Sequence, residues 1–371
     1  MKRTPALLTP LLLATLTACG GSDGGSGRTF SVANVEFHGP TLVVAAAEYT
    51  GTEGVVFAAD PADPSQVATG PDPVSTDVVL RVAGGRVYAL NRTAGNLQLL
   101  DPAAGLATGT SQFSTGTASN PHDVVVVGGR AYVSRYGLAS LLVMDPSDGS
   151  ELATIDLSHL ADDDGIPEMD QMAVWEGNLV VSLQRLDEDG WFAPTGHSTV
   201  AVIDPATDQV TGSFELVSTN PISRFATDGT HLYIATTGSF GEADGGIERL
   251  ADDLTGSTTL VSGADLGGDL GELAIVSPTK GYVVVSALDF TGSRVVAFNP
   301  TTGEVGDTVY QTAAYLPEIT ASPDGTRLAI ADRDPAAPGV VLLDTATDQV
   351  VTTAPVNDAN QLPPSSMVFV E

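Results

Sequence analysis

The stretch NPHDVVVVGGRAYVS, residues 120–134, decides the fold because it encodes two short strands joined by a tight turn. Runs of β-branched and aromatic residues favour strands, and the Gly128-Gly129 pair between them is typical of a hairpin turn. Related stretches recur along the chain: TDVVLRVAGGRVYAL (76–90), DQMAVWEGNLVVS (170–182), SRFATDGTHLYIAT (223–236), ELAIVSPTKGYVVVS (272–286), EITASPDGTRLAIAD (318–332) and, more loosely, SVANVEFHGPTLVVAAA (31–47). The chain therefore repeats one hairpin unit.

A third strand follows each hairpin and ends in a turn that Asp or Asn opens, as in VMDPSDG (143–149) and VIDPATD (202–208). We interpret these aspartates as turn-formers, because an Asp side chain accepts hydrogen bonds from the backbone ahead of it. A fourth strand completes the unit. Seven such antiparallel units predict an all-β, seven-bladed β-propeller. The expected blades are 29–73, 74–115, 116–160, 161–218, 219–268, 269–313 and 314–371.

The ends of the predicted ring meet at the C-terminus. The segment PPSSMVFVE, residues 363–371, reads as one more inner strand with nothing after it. We expect it to pair with the N-terminal blade, because a closed ring has no free sheet edge. Blade 5 departs from the repeat, since IERLADDLTGSTTL (247–260) lacks the Asp-Pro turn.

The NP openings, DPATDQV turns and GGRAYVS-like second strands resemble those of the YVTN or YncE-like propeller lipoproteins over nearly the whole folded region. The resemblance implies the seven-bladed architecture and a place in the cell envelope. Some proteins of this architecture capture ligands such as cobalamin at the cell surface, beside an outer-membrane transporter. That function carries over only as a class, because one fold hosts many functions.

The N-terminus has the pattern of a lipoprotein signal peptide, residues 1–18. Its apolar run is too short to span a bilayer permanently. The tetrapeptide LTAC, ending at Cys19, resembles the bacterial lipobox, which implies cleavage before Cys19 and its lipidation. Residues 19–28 then form a flexible Gly/Ser tether to the propeller, 29–371. The alternative is a secretory signal followed by a chance cysteine. Gly20 favours the outer membrane in a Gram-negative host, with the leaflet undecided.

Composition limits the partners. The formal net charge of −31 repels nucleic acid, so we expect no nucleic-acid partner. With one cysteine in the chain there is neither a disulfide framework nor a cysteine-based metal site. The fold must therefore be held by its own core, and we expect a monomeric propeller. No G-x-S-x-G, H-E-x-x-H, G-x-G-x-x-G or P-loop motif is present.

The repeat alignment places equivalent residues around the channel mouth. The position at the start of the inner strand holds a histidine in blade 3 and carboxylates in blades 4, 6 and 7: His122, Asp170, Glu272 and Glu318. Converging oxygen and imidazole ligands could hold a divalent cation such as Ca²⁺. The alternative is a solvated channel mouth with polar strand ends.

The loops that join second to third strands should open on the same face. They carry arginines and aromatics, and another arginine begins the inner strand of blade 5: Arg92, Arg135, Tyr136, Arg185, Arg333 and Arg224. These predict a pocket for an anionic or mixed-charge ligand, or else arginines that neutralise the ring carboxylates. The longest loop adds Trp191 and Phe192, which suit a ligand clasp or a cover for a neighbouring loop.

The sequence is compatible with three functions. The first is a non-enzymatic envelope lipoprotein that captures a small ligand, or docks a protein partner such as an outer-membrane transporter, on the loop face. The second is a metal-dependent, lactonase-like hydrolase that uses the His122, Asp170, Glu272 and Glu318 ring. The third is an assembly scaffold for envelope proteins.

Overall fold

The chain folds into seven four-stranded antiparallel sheets in a computed structural model that describes residues 29–108, 111–188 and 190–371. The sheets form the blades of a β-propeller, which confirms the predicted fold. We letter the strands A to D from the channel outward. Strand A begins at the upper face, and the B–C and D–A loops open there. None of the helices in the described part of the chain has the length and apolar character needed to cross a membrane.

The strands of each blade, in the order A to D, have the following bounds. Blades 1 to 3 contain Pro364–Val370, Thr41–Ala46, Val55–Ala59, Val67–Thr69; Val78–Ala83, Arg86–Asn91, Asn96–Leu100, Gln112–Ser114; and Pro121–Val127, Arg130–Arg135, Ser140–Met144, Glu151–Asp156. Blades 4 and 5 contain Met169–Trp175, Asn178–Leu183, Thr199–Asp204, Gln209–Glu215; and Ala226–Thr227, Leu232–Thr236, Gly246–Leu250, Ser257–Ser262. Blades 6 and 7 contain Asp269–Ser277, Lys280–Ser286, Ser293–Phe298, Val305–Thr312; and Ile319–Ala321, Arg327–Asp332, Gly339–Asp344, Gln349–Val350.

The ring is closed by the C-terminal strand. Pro364–Val370 pairs antiparallel with Thr41–Ala46 and is strand A of blade 1. The looser hairpin predicted at 31–47 therefore does not form as one unit. Its first half forms a separate two-stranded hairpin, Thr29–Val32 with Val35–His38, and its second half is strand B of blade 1.

A few short elements complete the described chain. Two 3₁₀ turns occupy Pro102–Ala104 and Ser158–Leu160, and a single α-helical turn occupies Gly263–Leu266. A small hairpin, Leu186–Asp187 with Ala193–Pro194, lies within the B–C loop of blade 4. Blade 5 forms its outer strand without the Asp-Pro turn.

The core is divided among the interfaces between blades. The described residues contain seven clusters of buried apolar side chains, and each cluster joins two neighbouring blades. Between blades 3 and 4, for example, Leu141 and Val143 pack with Leu179 and Val181. Successive side chains of a strand point to opposite faces, so each sheet packs against both of its neighbours. The channel between the blades is left for polar groups.

Side-chain bonds also join neighbouring blades on the lower face. The hydroxyl of Tyr132 in blade 3 donates to Asp208 Oδ1 of blade 4 at 2.9 Å, and Arg130 donates to both oxygens of Asp208. Blade 6 repeats this arrangement, since the Tyr282 hydroxyl donates to Asp348 Oδ1 of blade 7 at 2.6 Å. The repeated tyrosines and turn aspartates therefore fasten one blade to the next.

The aspartates that open the repeated turns act as predicted. Asp145 accepts from the N–H of Ser147, and Asp204 accepts from the N–H of Ala206, each at 2.8 Å. These bonds hold the turn at the end of strand C and leave the carboxylates on the exposed surface.

Candidate functional site

A cavity of about 390 Å³ lies at the channel mouth on the upper face. It is lined by residues near the upper end of strand A in all seven blades: Ser365, Asp77, His122, Asp170, Ile222, Glu272 and Glu318. The structure therefore brings together the positions that the repeat alignment equates. We call this space the upper cavity.

The His122 ring is held in one orientation within the upper cavity. Its Nδ1–H donates to Asp170 Oδ1 at 2.8 Å, and it stacks on Tyr136 with 4.3 Å between ring centroids. Asp170 also accepts from the side-chain amides of Gln171 at 2.7 Å and Gln184 at 3.0 Å. Burial lowers the pKa of His122, so the neutral imidazole keeps a lone pair on Nε2.

Glu272 and Glu318 share a single guanidinium. One terminal nitrogen of Arg224 contacts Glu318 Oε1, and Arg224 Nε lies 3.7 Å from Glu272 Oε1. Glu272 Oε1 also accepts from the backbone N–H groups of Arg224 at 3.0 Å and Leu273 at 3.2 Å. Burial raises the pKa of Glu272 to about 7, because one shared arginine only partly offsets the desolvation of its carboxylate.

The four residues predicted to hold a divalent cation separate into two groups. Asp170 is taken by His122 and two amides, and a guanidinium lies against both glutamates. Residues 29–108, 111–188 and 190–371 contain no group of three or more His, Cys, Asp or Glu side chains that could hold a metal ion. The geometry therefore argues against one Ca²⁺ or other cation bound by His122, Asp170, Glu272 and Glu318.

Arg81 lies at the floor of the upper cavity and was missed by sequence reasoning. Its Nε donates to Asp123 Oδ1 at 2.8 Å, and a terminal nitrogen donates to Gln171 Oε1 at 2.8 Å. Below it, a second cavity of about 320 Å³ is lined by Arg81, Asp123, Arg224 and apolar side chains. Arginine–carboxylate pairs thus separate the two cavities. The sequence feature that indicates Arg81 is a charged residue inside an otherwise apolar inner strand, VVLRVA.

Three of the predicted ligand-binding arginines bind backbone carbonyls instead. Arg135 is buried and donates to the carbonyl of Ser140 at 2.7 Å. Arg185 donates to the carbonyl of His197 at 3.0 Å. Arg333 donates to three carbonyls, those of Ala47, Pro363 and Pro364, and lies over the Tyr49 ring. None of these three lines the upper cavity.

The other two predicted arginines are paired with carboxylates. Arg92 lines the upper cavity but its guanidinium contacts Asp77, with Nε at 2.7 Å from Asp77 Oδ1. Arg224 is held by Glu272 and Glu318. The arrangement agrees with neutralisation of neighbouring carboxylates and leaves no arginine ready to bind an anion among the described residues that line the upper cavity.

Aromatic side chains surround the opening of the upper cavity. Among the residues whose exposure is described, every exposed Phe, Trp or Tyr side chain belongs to a B–C or D–A loop of this face: Tyr49, Trp191, Phe192, Phe240, Phe290 and Tyr315. Trp191 is 91% exposed and does not line the cavity, whereas Phe192 does. We call these six residues the aromatic rim. Exposed aromatic clusters of this kind are typical of binding surfaces in other proteins.

Tyr136 lines the upper cavity and is only 5% exposed. Its ring stacks on His122, yet its hydroxyl makes no hydrogen bond to any described residue. Burial raises the pKa of Tyr136, so the hydroxyl stays protonated. Because Tyr136 lines the cavity, a hydroxyl with no partner among the described residues is available to a bound ligand.

Besides Glu272, the cavity region contains another buried carboxyl group, that of Glu168. This residue was not singled out from the sequence. It is 1% exposed, just before strand A of blade 4, and its Oε2 accepts from the N–H of Leu186 at 3.2 Å. Burial, together with the nearby carboxylates of Asp164, Asp162 and Glu188, raises the pKa of Glu168 to about 8. This glutamate is therefore largely protonated at neutral pH.

Comparison with solved structures shows the fold. The chain matches a candidate 6-phosphogluconolactonase from Bacteroides fragilis with a TM-score of 0.61 and 16% identity, covering 90% of this chain and 98% of the other. A candidate 6-phosphogluconolactonase from Bacteroides uniformis matches with a TM-score of 0.60 and 15% identity, covering 89% and 99%. Hydrazine synthase from Kuenenia stuttgartiensis matches with a TM-score of 0.57 and 15% identity, covering 79% and 90%.

Sequence comparison adds no family. No protein-family profile matches the chain, and no curated protein matches it in sequence. The resemblance to the YVTN or YncE-like lipoproteins therefore stays a prediction. Cys19 and the tether lie outside the described residues.

Proposed function

We propose that this protein is a cell-envelope binding protein, lipid-anchored through Cys19, whose upper cavity captures a small organic ligand. The observation that carries the proposal is the coincidence of the aromatic rim with a cavity whose buried polar groups are fixed in place. Ligand sites typically combine apolar walls with a few oriented polar groups. Here His122 offers Nε2 and Tyr136 offers an unpaired hydroxyl on the same wall.

A phosphorylated sugar, the kind of substrate that the name of the two Bacteroides relatives implies, fits this cavity poorly. Anion recognition by a propeller of this kind needs a cationic group or free N–H donors facing the ligand. Arg81 and Arg92, which line the upper cavity, are already paired with Asp123 and Asp77. The side chains of the upper cavity therefore fit a ligand without a phosphate group better than they fit the phosphorylated substrate of a 6-phosphogluconolactonase.

The proposal is tested by a thermal-shift screen of the soluble protein, started at residue 20, against a library of small organic cations, anions and neutral aromatics. A ligand that binds only the native state raises the melting temperature. We expect compounds that stabilise the parent protein but not the Phe240→Ala/Tyr315→Ala variant, which removes two rim side chains that line the cavity.

The matched control is Val351→Ala, which removes an exposed apolar side chain near the outer strand of blade 7. It should retain every hit. If no compound in the library stabilises the parent protein, or if all hits stabilise the Phe240→Ala/Tyr315→Ala variant equally well, the upper cavity is not the ligand site.

A further inference from the structure

The carboxylates at the upper cavity outnumber the cationic groups that pair with them. Arg92 pairs with Asp77, and Arg81 pairs with Asp123. That leaves Arg224 for both Glu272 and Glu318, while neutral donors hold Asp170: His122, Gln171 and Gln184. With Glu272 ionised, the site therefore carries a surplus of negative charge that a bound cation would offset.

One of these carboxylates presents a free oxygen. The hydrogen bonds that Glu272 accepts all go to Oε1, and its Oε2 has no partner among the described residues. The Glu272 side chain remains 11% exposed, so the carboxylate is reachable from the cavity. An unpaired carboxylate oxygen in a partly dry site is a strong acceptor for an ammonium N–H.

An apolar side pocket of about 130 Å³ adjoins this carboxylate. Glu272 lines both the side pocket and the upper cavity, and so do Ile222, Phe240 and Tyr315. The remaining walls are mainly apolar, with Leu270 and Phe290 among them, and include the carboxylate of Asp269, which accepts from the backbone N–H groups of Gly241 and Ala243. A pocket of this size is comparable with apolar cavities that hold one aromatic ring.

The two features lie within one small molecule's reach, since both are formed by the same residue. We propose that the upper cavity binds a small aromatic amine, with its ring in the side pocket between Phe240, Phe290 and Tyr315 and its ammonium group on Glu272 Oε2. This inference rests on the proposed function and names the ligand class of the same site. The chain's net charge of −31 attracts such a cation from solution.

The interaction also makes binding pH-dependent. The groups facing Glu272 are Arg224, Glu318, Arg81 and Tyr315. Because burial raises the pKa of Glu272 to about 7, the carboxylate is protonated below that pH and loses its attraction for an ammonium group. Affinity for the amine should therefore rise between about pH 6 and pH 8, with a proton released on binding.

The test uses isothermal titration calorimetry with the protein started at residue 20 and three probes that share a phenylethyl group: 2-phenylethylamine, its isostere 2-phenylethanol, and 3-phenylpropionate. We expect the amine to bind at least about tenfold more tightly than the alcohol at pH 8, and the carboxylate probe to bind least. Glu272→Gln should remove that advantage and the pH dependence, while Glu304→Gln, at an exposed position of blade 6, should change neither.

Phe290→Ala should weaken the amine and the alcohol by similar factors, because it removes only a wall of the side pocket. It tests the ring position independently of whether Glu272→Gln folds. Equal affinity for the amine and the alcohol, or an amine affinity that Glu272→Gln leaves unchanged, would overturn the aromatic-amine proposal while the cavity could still bind other ligands. Failure of all three probes to bind at millimolar concentration would overturn it too. The proposed function is refuted separately, by a thermal-shift screen in which the Phe240→Ala/Tyr315→Ala variant keeps every hit.

Discussion

Glu168 offers a direct measurement of what burial costs a carboxylate in this propeller. Its side chain is 1% exposed, and among the described residues the N–H of Leu186 is the one hydrogen-bond donor to its carboxyl group, at 3.2 Å. Burial raises its pKa from 4.5 to about 8, so the folded protein binds this proton more tightly than the unfolded chain does. The stability that this glutamate contributes is therefore complete below pH 4.5 and is lost as the pH rises through about 8.

The size of the effect follows from the shift. One pKa unit is worth about 1.4 kcal/mol, so the free energy of unfolding should fall by about 3 kcal/mol between pH 5 and pH 7.5 through Glu168 alone. In Glu168→Gln that loss disappears, because the amide does not ionise. Any fixed free-energy cost of placing an amide there changes the free energy of unfolding equally at every pH and cancels from the comparison.

The assay is urea unfolding of the parent protein and Glu168→Gln at pH 5, 6, 7 and 7.5, with the difference in unfolding free energy plotted against pH. We expect the difference to move in favour of Glu168→Gln by about 3 kcal/mol across that range. Glu176→Gln, an exposed position in the same blade, serves as the control and should give a flat line. A flat line for Glu168→Gln as well would refute the reasoning, because it would mean that Glu168 ionises as easily in the fold as in the unfolded chain.

Two further predictions concern how the ring is held together. Tyr282→Phe removes the hydroxyl bond to Asp348 and should lower the free energy of unfolding by about 1 to 2 kcal/mol in chemical denaturation, whereas Tyr315→Phe, on the exposed rim, should change it little. Deleting residues 364–371 removes strand A of blade 1 and exposes the edge of Thr41–Ala46, so cooperative thermal unfolding followed by circular dichroism should be lost. A truncated protein that melts as sharply as the parent would contradict the closing role of this strand.

Much of the fold could be predicted from local sequence. The strand-forming runs and the Gly-Gly and Asp-Pro turns each depend on only a few consecutive residues. They can therefore be recognised in the sequence without knowledge of which distant residues they contact. They predicted four-stranded blades in a ring of seven, and the turn role of Asp145 and Asp204. The same alignment placed His122 among the side chains that line the upper cavity, because equivalent positions in a cyclic repeat face the same channel.

The hydrogen-bond and ion-pair partners of the charged side chains were decided by tertiary structure. Arg135 and Arg333 looked like anion ligands in the sequence, but carbonyl groups that the fold brings beside them take their donors. The hairpin of Thr29–Val32 and Val35–His38 lies outside blade 1, because the C-terminal strand occupies the inner edge of that blade instead. Local patterns cannot show which distant segment supplies a partner.

By itself, then, the sequence determined the repeating unit, the number of blades and the face on which functional groups gather, since these depend on short-range turn chemistry and strand alternation. Only the tertiary structure decided that the aromatic side chains of distant blades form one rim and that Glu272 keeps a free oxygen beside an apolar pocket. Both depend on contacts between residues far apart in the chain, where burial and charge pairing are fixed by packing.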